Sequence, residues 1–222
     1  MYFKDRFHLT KDQNRRFAKM NFTNLVYTNA RFEDINTTLP QTQTIMDGLG
    51  VDGISIDNIN TLVQIKRGWE FITNNDSEIS LNLEKQINTI VTKNGSLSSG
   101  EFRTEQARVN IGSNKVFKLD DVIIDEENKF LKSLIANDIS ATEISLRLMY
   151  HNMRSQLFGN GNKCTATLIA NKHMIDNGAG LINVPLNLWP KWNELISTYY
   201  KTGHLDEILE WSYKNIIQGV NL

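Results

Sequence analysis

Apolar residues recur at spacings of three and four along most of this chain, the signature of amphipathic helices. Between residues 11 and 32, Phe17, Met20, Leu25 and Phe32 share one face. Pro40 stands where a first helical turn begins, and Ile45 and Met46 follow before Gly48. The same spacing predicts helices over 57–73 (Leu62, Ile65, Trp69, Ile72), 80–92 (Leu83, Ile87, Ile90, Val91) and 123–136 (Ile124, Leu131, Leu134, Ile135). It continues over 141–157 (Leu146, Met149, Met153, Leu157) and 162–176 (Cys164, Leu168, Ile175), where Gly178 supplies a stop. The last two helices fit 187–201, through Trp192, Leu195, Ile196 and Tyr199, and 205–218, through Ile208, Leu209 and Ile216.

One stretch, 94–118, departs from this period. Val109 and Ile111 alternate with polar residues, Gly112-Ser113-Asn114 supplies a turn, and Val116 and Phe117 return. Alternation around such a turn predicts one β-hairpin in an otherwise helical protein. No repeat, linker or shift in composition divides the chain, so a single domain over 1–222 is expected.

Composition narrows the function classes. The 222 residues carry 24 Lys plus Arg against 25 Asp plus Glu, a net charge of −1. That balance removes the usual electrostatic argument for a dedicated nucleic-acid or anionic-membrane binder. A local excess lies in the first twenty residues, where Lys4, Arg6, Lys11, Arg15, Arg16 and Lys19 face only Asp5 and Asp12. It reads as a solvated helix face in preference to an anion-binding patch, since no aromatic residues interleave it. Four His and one Cys exclude a disulfide within the chain and a Cys-rich zinc site, and no metal site is expected from them. No apolar run approaches the roughly 18 residues of a membrane span. The charged start gives no signal peptide, which makes the cytoplasm the default expectation. The 26 Asn are high for this length and carry little functional weight.

The most specific segment is Gln156-Leu157-Phe158-Gly159-Asn160-Gly161-Asn162-Lys163-Cys164-Thr165-Ala166-Thr167, between two strongly periodic helices. Gly159 and Gly161 can take positive φ, and the next helix begins at about Gly161 or Asn162. Its first N–H groups have no carbonyl partners and sit at the positive end of the helix dipole, a setting suited to an anion. Lys163 adds a charge to the first turn. On this physics alone an ordinary helix–helix turn is about as good a reading.

The surroundings bring in a resemblance. This segment resembles the core motif of the Fic/Doc family: a His, then Phe two residues on, an acidic residue, Gly-Asn, Gly or Lys, and two Arg three apart. Phe158, Gly161 and Asn162 match, and Lys163 matches the Lys of the Doc branch. Leu168 to Asn171 resemble the usual start of the next helix. Asn29 to Asp34 with Leu39 to Ile45 resemble the N-terminal region (1–50 here) of members that carry an inhibitory helix, Glu33 matching its Glu. Gly100 to Arg103 with Val109, Asn110, Ile111 and Gly112 resemble the flap hairpin that docks a target segment. The resemblance spans about residues 24–218, with the motif helix–loop–helix at 141–176. It implies a mainly α, compact Fic-like helical domain with one β-hairpin flap. It also implies transfer of AMP or another phosphate-containing group from a nucleotide, ATP or another with Mg²⁺, to a hydroxyl of a target protein.

The motif departs from the family at the positions that carry this chemistry. Gln156 stands at the catalytic His, and an amide cannot take a proton near neutral pH; losing such a base costs on the order of 10²–10⁴ in rate. Asn160 stands at the acidic metal ligand, and a neutral carbonyl holds Mg²⁺ less strongly. Cys164 and Thr167 replace the two Arg, so both bidentate phosphate forks are gone and Lys163 offers only a point charge. With Thr167 in place of Arg, Glu33 loses its salt-bridge partner and is expected to make a structural hydrogen bond or lie at the surface. His151, five residues before Gln156, lies about 140° around the helix from it. Cys164 reads better as a small buried hydrophobe than as a nucleophile.

Two functions follow. One is a degenerate Fic-like protein, a pseudoenzyme working through interaction, with at most weak nucleotide binding at 158–163 (Phe158, Asn160, Gly161, Asn162, Lys163, with Cys164 and Thr167 behind). The other is an active AMP or phosphate transferase with altered machinery. Either implies a protein partner or target, with no nucleic acid and no membrane, and a homo-oligomer through the exposed flap edge is open.

Overall fold

The computed structural model describes residues 3–104, 108–110, 116–119 and 121–221. Helices dominate, and side-chain caps start half of those described. They are α1 (Lys11–Met20), α2 (Phe22–Asn29), α3 (Leu39–Met46), α4 (Ile56–Asn74), α5 (Leu81–Thr92), α6 (Ile124–Ile135), α7 (Ala141–Ser155), α8 (Asn162–Asp176), α9 (Trp189–Thr202) and α10 (Asp206–Asn215). Thr10 and Thr38 form capping boxes with Gln13 and Gln41. Ser55, Ser80 and Ser140 each accept from the third backbone N–H of their helix.

The expected helix over 11–32 is two helices and a short 3-10 turn, Ala30–Glu33. It breaks at Asn21, whose Nδ2 donates to the Phe17 carbonyl at 2.8 Å and so diverts a group the helix would use. The hairpin is present as β1 (Arg108–Asn110) against β2 (Val116–Lys118), with Val109 opposite Phe117. Ile111 and Gly112 of the expected flap lie outside the described residues. The expected helix 205–218 ends at Asn215. Beyond it β4 (Ile217–Gln218) pairs antiparallel with β3 (Leu181–Ile182), a second ladder that the hydrophobic pattern did not indicate.

Helix α8 explains the architecture. Every residue from Cys164 to Ile175 is buried. Leu168, Ile169 and Ile175 join a core with Leu25, Leu62, Trp69 and Ile87, while Ala166, Ala170 and Met174 join one with Tyr150, Trp192 and Ile216. A helix buried on all sides must satisfy its polar groups internally. Asn171 exchanges both amide bonds with Ile182 and also donates to Thr167 O. His173 Nδ1 is 3.0 Å from Ser145 Oγ. Lys172 is fully buried and pairs with Asp176, which Lys11 also meets at 2.9 Å. Much of the basic excess near the N-terminus is used within the chain in this way: Arg15 and Lys11 both hold Asp76, and Lys19 donates to Asn74.

Among the described residues no helix is long and apolar enough to cross a membrane.

Candidate functional site

The loop between α7 and α8 is built as a closed ring of amide bonds. Helix α7 ends on Gln156 in the left-handed region, φ 50° and ψ 60°. That conformation disfavours a residue with a Cβ, so other contacts must hold it. They come from the Gln156 side chain and from across the fold. Gln156 Nε2 donates to Met153 O at 2.6 Å, and Gln156 Oε1 accepts from Asn162 Nδ2 at 3.2 Å. Asn162 closes the ring, accepting from Phe158 N at 2.9 Å and donating to Phe158 O at 2.8 Å.

Three residues from outside hold the loop. Arg103 donates to the carbonyls of Gln156 at 2.6 Å and Ser155 at 3.2 Å, and its own backbone N–H meets Leu157 O at 3.0 Å. Phe102 bridges Phe158 beside it, and their rings lie 5.2 Å apart. Asn88, in α5 and almost fully buried, gives its Nδ2 to Asn160 O at 2.9 Å and Thr165 Oγ1 at 3.1 Å. Its Oδ1 takes the Gly100 N–H at 2.9 Å. The base of the flap segment, the motif loop and the start of α8 thus share one carboxamide. Neither Asn88 nor Arg103 as a tie to the motif loop was legible from the motif, because both come from other parts of the chain.

Gly161 begins α8 at φ 70°. A Cβ there would lie 2.4 Å from Thr92 Cγ2, so the position excludes other residues on two counts. No side chain caps the helix, which leaves its first-turn N–H groups without a side-chain acceptor. Lys163 stands beside them. Burial pushes its ammonium below the usual lysine range, and Asp34 and Glu33 partly restore it. Glu33, at the end of the 3-10 turn, is half-buried; burial raises its carboxyl and the Lys163 charge opposes that rise. The inhibitory-helix-like segment therefore places its carboxylate in the field of Lys163.

Two of the other motif positions, Cys164 and Thr167, are closed. Cys164 is 2% exposed and its thiol is pushed well above the usual range, by burial first and by Glu33 second. A thiol held protonated is a poor nucleophile. Thr167 donates to Lys163 O at 2.9 Å, and lines a cavity of about 10 Å³ with Asn29, Asn183 and Trp189. Asn160 is exposed, and its Oδ1 accepts from Gly161 N at 2.8 Å. With amide oxygens and no carboxylate in the loop, the donor set does not fit Mg²⁺, which prefers carboxylate oxygens. Among the described residues no group of three His, Cys, Asp or Glu is arranged to hold a metal.

None of the four histidines stands in the motif loop. His151 Nε2 lies 2.7 Å from Glu127 Oε2, and its ring stacks on Phe130 at 3.6 Å. It lines a cavity between α6, α7 and α9 that contains no residue of the loop. His173 is buried, and burial lowers its pKa. His8 and His204 are exposed, in segments away from the motif loop.

Beside the loop an open groove of about 730 Å³ runs from Lys163 past Arg31, Phe32 and Asp34 to Trp189 and Pro190. Phe32 and Trp189 form its aromatic wall, with ring centroids 5.2 Å apart, and the buried Trp192 packs behind them. The side chains of Val109 and Asn110, on the flap strand, lie outside the described residues.

No protein-family model and no curated protein matches this chain. Solved structures do. Fic-1 from C. elegans superposes with a TM-score of 0.77 at 20% identity, over 92% of this chain. The chain spans 62% of that structure's length. A Fic domain containing signaling protein from Bacteroides thetaiotaomicron superposes with a TM-score of 0.69 at 16% identity, over 96% of this chain and 94% of its own. A Fic family protein from Desulfovibrio desulfuricans gives 0.69 at 13% identity, over 90% of this chain. The chain has the Fic fold, mainly helical with a two-stranded antiparallel hairpin.

Proposed function

We propose that this Fic-fold chain is a non-catalytic member of its fold group, working by protein interaction and binding nucleotide weakly at most. The observation that carries the reading is the commitment of Gln156. Its amide spans Met153 O and Asn162 Nδ2, so the position that would remove a hydroxyl proton is a structural tie. The neighbouring positions support it. Thr167 bonds within its own helix, Cys164 is buried and protonated, and Lys163 offers one partly desolvated charge.

Weak anion binding is consistent with the uncapped start of α8 and with Lys163 at the end of the groove. Glu33 works against it, because a phosphate near Lys163 would meet its carboxylate. The groove and the flap edge are the surfaces that we assign to a protein partner.

Melting temperature followed under ATP, ADP and inorganic phosphate, each with and without Mg²⁺, tests the binding half of this reading. The expected result is a small shift, similar for ATP and phosphate and unchanged by Mg²⁺. A large Mg²⁺-dependent shift with ATP alone would contradict it, since the loop offers the ion no carboxylate.

A further inference from the structure

The chain contains three Asn-Gly steps, at 94–95, 160–161 and 177–178. Such steps are the chemically weakest amides in a protein, because glycine places no side chain between its backbone nitrogen and the preceding carboxamide. The three differ in how the fold holds the glycine nitrogen. Gly95 N donates to Thr92 O at 3.0 Å, and Gly178 N donates to Ile175 O at 3.2 Å. Each is turned toward a helix carbonyl and away from its own asparagine. Asn177 is held in addition by a 2.9 Å bond from Nδ2 to His173 O. Gly161 alone of the three points its nitrogen at the preceding side chain, 2.8 Å from Asn160 Oδ1.

We propose that Asn160 is a site of spontaneous deamidation that installs a carboxylate in the motif loop. Deprotonated Gly161 nitrogen attacks Cγ of Asn160, forming the N–Cγ bond. The carboxamide nitrogen leaves as ammonia and a five-membered succinimide remains. Water then opens the ring at either carbonyl, giving aspartate or isoaspartate at position 160. Water is the only co-reactant, and Asn160 is exposed to it.

Three features of the site favour the reaction. The Gly161 N–H is directed at the carboxamide whose carbon the nitrogen must attack, 2.8 Å from its Oδ1. It also sits at the positive end of a 15-residue helix, where the dipole stabilises the amide anion and the negative product. Lys163, close by in the first helical turn, adds a positive charge in favour of the new carboxylate. The product restores an acidic group at the loop position where the family resemblance has one. The inference concerns covalent chemistry and stands whether or not the chain is catalytic.

The test is a peptide map of the purified chain held for weeks at mildly alkaline pH, folded and in concentrated urea. Trypsin releases Ser155 to Lys163, and the exchange of amide for hydroxyl is read by mass with fragment ions that locate it. In the folded chain Asn160 should convert several-fold faster than Asn94 and Asn177, and in urea the three rates should converge. Asn160→Gln should abolish the change in that peptide. Conversion of Asn160 no faster than the other two in the folded chain would overturn the proposal, as would a mass change that persists in Asn160→Gln.

Discussion

Replacing Asn88 by alanine should cost about 3–4 kcal/mol of stability, read by urea unfolding, and should loosen the motif loop. The size follows from what the substitution leaves behind. The Gly100 N–H, the Thr165 hydroxyl and the Asn160 carbonyl each lose a partner, in a region where Asn88 itself is 1% exposed. A buried polar group left unpaired costs about 1–3 kcal/mol, and relaxation recovers part of the sum. Hydrogen exchange separates this from a general weakening of the core. The Gly100 amide, which Asn88 Oδ1 holds at 2.9 Å, should exchange with much less protection while the Trp69 backbone amide in α4 changes only by the global loss. A loss under about 1 kcal/mol would mean that the loop does not depend on this shared carboxamide.

The second large effect is on pH dependence. Glu84 lies in α5, 1% exposed, and among the described residues neither carboxyl oxygen has a hydrogen-bond partner. Burial pushes its pKa from 4.5 up to about 8, the neighbouring Asn152 carboxamide opposes the rise, and the Glu127 charge adds to it. Unfolded chain releases this proton near pH 4.5, whereas folded chain keeps it until about pH 8. Stability from this group is therefore complete below the lower value, declines as pH rises between the two, and is gone above the upper one. Glu84→Gln keeps the shape and removes the titration. Wild type and variant should have nearly equal stability at the acid end. The variant should gain progressively toward alkaline pH, by on the order of 3–5 kcal/mol once Glu84 is ionised. Parallel stability curves for the two proteins would show that Glu84 ionises freely in the fold.

Much of this architecture was legible in the chain because helices announce themselves by period. The apolar stripes over 57–73, 80–92 and 141–157 put the starts of α4, α5 and α7 within a residue of Ile56, Leu81 and Ala141. Helix α8 was legible for a different reason. Buried all round, it shows only a weak stripe through Cys164, Leu168 and Ile175, and its ends came from Gly161 and Gly178, both at positive φ. The break at Asn21 and the two-residue strands β3 and β4 fall below what periodicity resolves, since a strand of two residues has no alternation to read.

The site divides along the same line. The positions that break the motif, Gln156, Asn160, Cys164 and Thr167, stand in one continuous segment and could be compared residue by residue. The contacts that these residues make in the fold could not. Gln156 as a tie to Met153 and Asn162, Arg103 as the clamp on α7's last carbonyls, and Asn88 as the shared amide are contacts between segments distant in the chain or between side chain and backbone. A sequence records the residue types for such contacts without their geometry. Glu33 is intermediate. Its correspondence was visible, while its nearness to Lys163, in place of the absent arginine, emerged only from the fold.

A Fic fold with an amide at the base position and no carboxylate in its loop is expected not to turn over. Transfer of label from α- and γ-labelled ATP into lysate proteins tests it most directly, with the wild-type chain, Gln156→His and Lys163→Ala compared at equal concentration. No transfer above background is expected from wild type, and none from Gln156→His, because the histidine alone restores neither metal ligand nor phosphate forks. Transfer by the wild-type chain that is lost in Lys163→Ala would contradict it.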